Sequence, residues 1–297
     1  MNYKYLLGSI LLIWLSACTY KVHVPEEAIE TKVFTLGRLT PGDTLRLFFS
    51  RTGPITSRVN PEELVVCNLN PVLLENGVPV DTFRPCKKIK IYHDYIIDSM
   101  FYTSPYPVSA GNSYAFKVET PYGNLYAETR IPDEIPIRVI HYETIQTVDG
   151  KLHKVEVEIR DPAGKDNYYQ FSMKITDTVY GYTENIYPDY IRLDPVIEND
   201  EVGIYDDCYI FTDRFFDGQT RRLNLYFLDW RIEEEGETVL IQRHTDRNLY
   251  DYYYFLNNAP GDWEISYGIS GGMLPVGNVK GGYGWWYAYR EKRDTLH

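Results

Sequence analysis

The chain has 297 residues and a formal charge of −12, from 42 acidic side chains against 30 basic ones. An acidic surface gains nothing by neutralising phosphates, so nucleic acid is excluded as an expected partner. The length is generous for one β-sandwich and comfortable for two domains.

Residues 1–17 have the three parts of a secretory signal: Lys4, an apolar stretch from Leu6 to Leu15, and small residues at the cleavage point. About ten apolar residues are too few to span a bilayer, which needs ~20. Leu15-Ser16-Ala17-Cys18 then reads as a bacterial lipobox that places diacylglycerol on the Cys18 sulfur. Each buried acyl methylene contributes ~0.8 kcal/mol, and two chains hold a protein on a membrane without a transmembrane helix. Lys4 is the one charged side chain ahead of Cys18, so its removal takes the formal charge from −12 to −13. The lipid, and not surface charge, is therefore expected to hold the chain on its membrane. Residues 18–30 read as the lipidated tether.

Everything after the tether reads as mainly β, rich in Tyr, Val, Ile, Thr and Phe with closely spaced turn signals. Residues 31–134 are expected to form an immunoglobulin-like or transthyretin-like β-sandwich, with Asn76-Gly77 as one of its turns. Cys67 and Cys86 fall in neighbouring strand-like segments, which leaves two readings. They form a disulfide if their Cα atoms come within ~7 Å, or they are buried free thiols. Cys208 has no partner left, and no CxxC pair supports a zinc or thioredoxin-like site.

Arg130-Ile131-Pro132-Asp133-Glu134-Ile135-Pro136 carries two prolines and reads as an extended connector, so a second β domain is placed at 135–297. Lys154 to Arg160 alternates strictly, giving one buried and one wet face. It follows an Asp149-Gly150 turn, with IRVIHYETIQ as its partner strand. Asp217-Gly218 and Glu235-Gly236 read as further turns. One helix breaks the pattern near 246–257, capped by Thr245 or Asp246, with Leu249, Tyr252, Tyr253 and Leu256 on one side. Ala259-Pro260-Gly261 would stop it.

Ordered fragments give the chain a family resemblance. FTLGRLTPGDTLRLFFSRTGPI stands near the start and GNSYAFKVETPYGNLYAETRIPDEIPI closes the first domain. RDPAGKDNYYQFSM, FTDRFFDGQ, RNLYDYYYFL and NVKGGYGWW follow. In this order, behind a lipobox, they resemble the Bacteroidota outer-membrane lipoproteins of domain of unknown function 4249. The resemblance implies a companion of TonB-dependent receptors in nutrient uptake and brings no catalytic or ligand residues with it. The stretch after Cys18 lacks a run of acidic residues of the kind associated with surface export in that phylum, so either face of the outer membrane stays open.

The constellations that could carry chemistry read as structural. Gly268-Ile269-Ser270-Gly271-Gly272 matches G-x-S-x-G, yet Gly-Gly-Met-Leu-Pro cannot continue into the helix that a nucleophile elbow needs, and only His297 follows. The six histidines show no HExxH or i, i+4 pair. Asp206, Asp207, Asp213 and Asp217 raise calcium, but CYIFT and RFF between them look strand-like, which favours turn-forming and capping aspartates. No catalytic residue, metal or cofactor is therefore expected.

Aromatics say more. There are 28 tyrosines and five tryptophans, with a dense run at Tyr283-Gly284-Trp285-Trp286-Tyr287. Neighbours on a strand point to opposite faces, so one of Trp285 and Trp286 is expected outside, available as a partner contact. The reading that results is a non-catalytic, lipid-anchored accessory protein, with an adhesion or fimbria-like subunit as the alternative and an enzyme third.

Overall fold

The computed structural model describes residues 31–52, 64–92, 95–179, 182–198, 208–230, 236–258 and 277–297. The chain is mainly β, 60% strand, with two short helices among the described residues. Its first part supplies β1 (Val33–Leu39), β2 (Leu45–Arg51), β3 (Val72–Glu75), β4 (Val78–Thr82), β5 (Arg84–Tyr92), β6 (Tyr95–Ser104), β7 (Ser113–Thr120) and β8 (Gly123–Arg130). The remainder supplies β9 (Ile137–Gln146), β10 (Lys151–Arg160), β11 (Tyr168–Val179), β12 (Tyr182–Ile186), β13 (Asp189–Ile191), α1 (Pro195–Glu198), β14 (Cys208–Thr212), β15 (Thr220–Asp229), β16 (Glu237–Thr245), α2 (Arg247–Asn258) and β17 (Tyr283–Leu296).

Alternation builds two cores. Leu45, Leu47 and Phe49 of β2 point inward while Arg46 and Phe48 do not, and they meet Leu73, Phe116 and Leu125 from the sheet β4-β3-β7-β8. In the second core Phe171 and Met173 of β11 meet Val157, Leu225 and Phe227 from the sheet β13-β15-β10-β9. Ile131 belongs to the first core and Ile135 to the second, so the cores part inside the Ile131–Pro136 connector.

The division into two contiguous segments, 31–134 and 135–297, does not survive. One large sheet runs β12-β11-β16-β17-β1-β2-β6-β5, with β14 pairing β11, and it draws strands from both sides of residue 134. The long final strand makes the join. Its residues Tyr283 to Ala288 pair with β1 in parallel, and Tyr289 to Leu296 pair with β16 antiparallel. Val279, Trp286 and Ala288 accordingly lie in the first core and Leu296 in the second. The pairing supplies hydrogen-bond partners to a β1 that would otherwise be a bare edge. A parallel partner can come only from a distant stretch of chain, here the far end of the sequence. The first lobe is thus 31–134 completed by 277–288.

Local details follow residue chemistry. Asn76 (φ 49°) and Gly77 (φ 81°) close the β3–β4 hairpin with two left-handed residues, the pair that a type I′ turn demands. β9 and β10 pair as expected from their alternation, but through a four-residue loop, Thr147 to Gly150, with Thr147 N–H donating to the Gly150 carbonyl at 2.8 Å. Helix α2 is capped by Asp246 and not Thr245: the Leu249 N–H donates to Asp246 Oδ1 at 2.9 Å. Cys67 and Cys86 do not pair. Both are free thiols, Cys67 exposed in the irregular stretch before β3 and Cys86 on the edge strand β5, while the third, Cys208, is buried on β14.

Candidate functional site

Neither tryptophan of the 283–287 run is outside. Trp286 is fully buried in the first core against Phe83 and Phe116, and its Nε1–H donates to the Tyr114 carbonyl at 3.0 Å. Gly37 on β1 makes its room, since a Cβ there would lie 2.5 Å from the indole ring. Trp285, 2% exposed, points to the opposite face as alternation requires, but α2 covers that face. Tyr252 and Phe255 put their rings 5.2 and 5.0 Å from it. The expectation of one exposed tryptophan failed because a strand in this sheet has two covered faces, one against the sandwich and one against the helix.

The exposed tryptophan among the described residues is Trp230, 59% exposed, just past β15. The register pairs Lys151 with Asp229, so Trp230 lies across from Gly150, two residues from Val148, which is 96% exposed at the β9–β10 loop. Its indole Nε1–H donates to Asp189 Oδ2 at 2.6 Å, which fixes the ring without burying it. Ile145 and Tyr187, both also exposed, stand at the same end of this sheet. A fixed, exposed indole beside aliphatic side chains has the composition of a contact patch.

A second feature is a polar cleft of about 500 Å³ where the connector passes the second core, lined by residues 130–135 together with Lys165, Tyr168, His244 and Asp246. Its charges are of both signs and largely paired: Lys165 Nζ meets Asp133 Oδ2 at 3.1 Å and Arg290 meets Glu134 at 3.0 Å. His244 Nδ1 donates to the Asp133 carbonyl at 2.7 Å, and burial holds its pKa below the ordinary value, so the ring ties the connector down as a neutral group. Asp246 is the junction residue. Its carboxylate accepts from the Thr129 hydroxyl of β8, the Asn248 amide (3.0 Å) and the Leu249 N–H, and its own N–H donates to the Ala288 carbonyl of β17 (2.9 Å). Packing among these elements pushes its pKa up to about 6, desolvation outweighing the hydrogen bonds.

Beside the cleft, Asp161, Asp213 and Asp217 bring carboxylate oxygens within 4.8 Å of one another. CYIFT is the strand β14, but Arg214 to Phe216 lie in a turn, which is how Asp213 and Asp217 converge. The oxygens are engaged by protein donors: Asn167 donates to Asp161 and Asp213, Gly164 N–H to Asp217, Gly218 N–H to Asp161, and the Tyr169 hydroxyl to Asp161. They lock the 161–167 and 213–219 loops together. Three of the fragments behind the family resemblance meet here: Arg160 to Tyr169, Thr212 to Gln219 and the start of α2. Sequence reading did not see the convergence, because it depends on β11 pairing with β14 and β16 together. Cys18, Asp206, Asp207, the Gly268–Gly272 string and Pro260 lie outside the described residues.

Comparison with known proteins gives one family. The profile described as "Domain of unknown function (DUF4249)" matches residues 19–295. Curated proteins give no match. Among solved structures, a DUF4785 family protein from Legionella pneumophila is similar at 12% identity and a TM-score of 0.24, covering 74% of this chain and 54% of that one. The chain therefore spans about half the length of that protein.

Proposed function

This chain belongs to the DUF4249 family, and we propose that it is a non-catalytic, lipid-anchored protein of the bacterial outer membrane that acts by contact with an embedded TonB-dependent receptor. The observation that carries the reading is the lipobox Leu15 to Cys18, set immediately ahead of a family domain that begins at residue 19. The receptor as partner comes from the family resemblance. Anchoring confines the domain to the bilayer surface and raises its effective concentration near partners embedded there, so even a weak interface can be occupied. Trp230 and Val148 support the contact reading, as a rigid exposed aromatic beside an aliphatic tip. In a donated-strand assembly a terminal strand would be free for another subunit; here the first and last described strands pair with each other.

Lipidation is tested by Cys18→Ala. Intact mass or labelled palmitate should show acyl chains on the wild type alone, and the variant should move to the soluble fraction. An unmodified chain that stays membrane-bound would sink the proposal.

A further inference from the structure

The outer face of the large sheet is only partly covered by α2. Next to the helix lies an open basin of about 530 Å³ that crosses β14, β11, β16 and β17. Its floor follows from the register: Ser172 of β11 stands opposite Cys208 on one side and Ile241 on the other, and Gln170 opposite Arg243. The neighbouring residues Tyr169, Phe171 and Met173 point the other way into the second core, so the floor side chains face outward by alternation.

The described lining of this basin carries a charge opposite to that of the chain. Among the described residues Lys174, Arg243 and Arg293 line it and no carboxylate does, in a sequence with 42 acids against 30 bases. Glu291, beyond the lining, is shared between Arg243 (Nε to Oε2, 2.8 Å) and Arg293 (Nη2 to Oε1, 2.7 Å), so one carboxylate faces two guanidiniums. Lys174 has no partner among the described residues, so the group keeps a positive excess. Ser172 supplies an independent observation. It is 8% exposed, lines the basin, and stands between Cys208 and Ile241 on the outward face of the sheet. Its hydroxyl faces the open basin beside the three cations, where it can donate to an anion. Two tyrosines complete the rim. Burial keeps the Tyr253 phenol protonated and able to donate, and Tyr187 offers a half-exposed ring.

We propose that this basin binds a small oxyanion-bearing ligand, a sugar acid or sugar phosphate, with its anionic group on Lys174, Arg293 and the Ser172 hydroxyl and its ring against Tyr187. Arg243 is the fixed member, held by Glu291 and by Gln170 (Nη1 to Oε1, 3.1 Å), and it orients the floor. The basin has ample room for a monosaccharide, and its cations select for charge over the neutral sugar.

The test is calorimetric titration of the full chain in detergent with glucuronate, glucose 6-phosphate and glucose. Either anion should saturate one site, and which does so separates a carboxylate from a phosphate source. Glucose should bind at least about tenfold more weakly. Lys174→Ala with Arg293→Ala should weaken the anion by at least about tenfold at unchanged thermal midpoint, since Lys174 has no partner among the described residues and Arg293 is an exposed pair member. Ser172→Ala should cost a few-fold, and raising the salt should weaken binding of the wild type but not of the double variant. The proposal is overturned if neither anion saturates, if glucose binds as tightly, or if the double variant binds as the wild type does.

Discussion

Asp246 offers the sharpest test of how the lobes are joined. It caps α2, accepts from Thr129 of the first lobe and donates its N–H to Ala288 of the shared strand. Burial raises its carboxyl from 3.8 to about 6, so the folded chain holds this proton more tightly than the unfolded chain does. Folding stability from this group is therefore greatest below pH 4, falls as pH rises from about 4 to about 6, and is level above that. The rise from 3.8 to about 6 is worth about 3 kcal/mol. That is an upper figure, because the residue keeps an edge in the cleft and solvent there screens part of the effect. Asp246→Asn keeps an oxygen for the Leu249 N–H and does not ionise. Urea unfolding of both proteins at steps from pH 4 to 7.5 should show wild type losing up to ~3 kcal/mol against Asp246→Asn, with the change centred between pH 4 and 6. Asp246→Ala should separately cost ~1 kcal/mol for the lost cap. A difference between wild type and Asp246→Asn that stays flat across the range would refute the account of a desolvated junction carboxylate.

Other outcomes follow from the packing. Trp286→Ala should destabilise the first lobe by about 3–5 kcal/mol through the cavity it leaves, with the Tyr114 carbonyl deprived of its donor, read as a shift in the urea midpoint at unchanged slope. Gly37→Ala should cost ~1–3 kcal/mol, because its Cβ would press on Trp286 and Leu47. Ending the chain after Ala288 should strip β16 of a paired neighbour and lower the second lobe's thermal midpoint, while ending it after Asn258 should destabilise both lobes. Independence of the first lobe from residues 277–288 would contradict the crossing strand.

What the sequence made legible were features set by neighbours along the chain. The alternation of Lys154 to Arg160 marks a strand wet on one side only, and it forms β10 with the partner read for it. The Asn76-Gly77 pair states its own turn, because few residues tolerate two left-handed positions in succession. Asp246 ahead of Leu249 announces a helix start. What could not be read were features made by distant segments. No local signal tells β17 that its first half will lie along β1, so the two-domain boundary was placed as if the chain never returned. Trp285 and Trp286 were sorted correctly to opposite faces, but the helix that hides Trp285 comes from another part of the chain. Lys174, Arg243 and Arg293 are far apart in sequence and share a face only through the register of three strands. Trp230 gives no sequence signal, because a lone tryptophan after a strand carries no pattern.

The proposed contact with a receptor at the outer membrane is tested by affinity purification of the full chain from detergent-solubilised outer membranes, with Trp230→Ala and Cys18→Ala in parallel. Wild type should bring down an outer-membrane barrel of the TonB-dependent class. Trp230→Ala, folded by circular dichroism, should lose most of it, and Cys18→Ala should lose it through absence from the membrane. Recovery of wild-type chain from the membrane with no barrel bound, or full recovery of the barrel by Trp230→Ala, would contradict it.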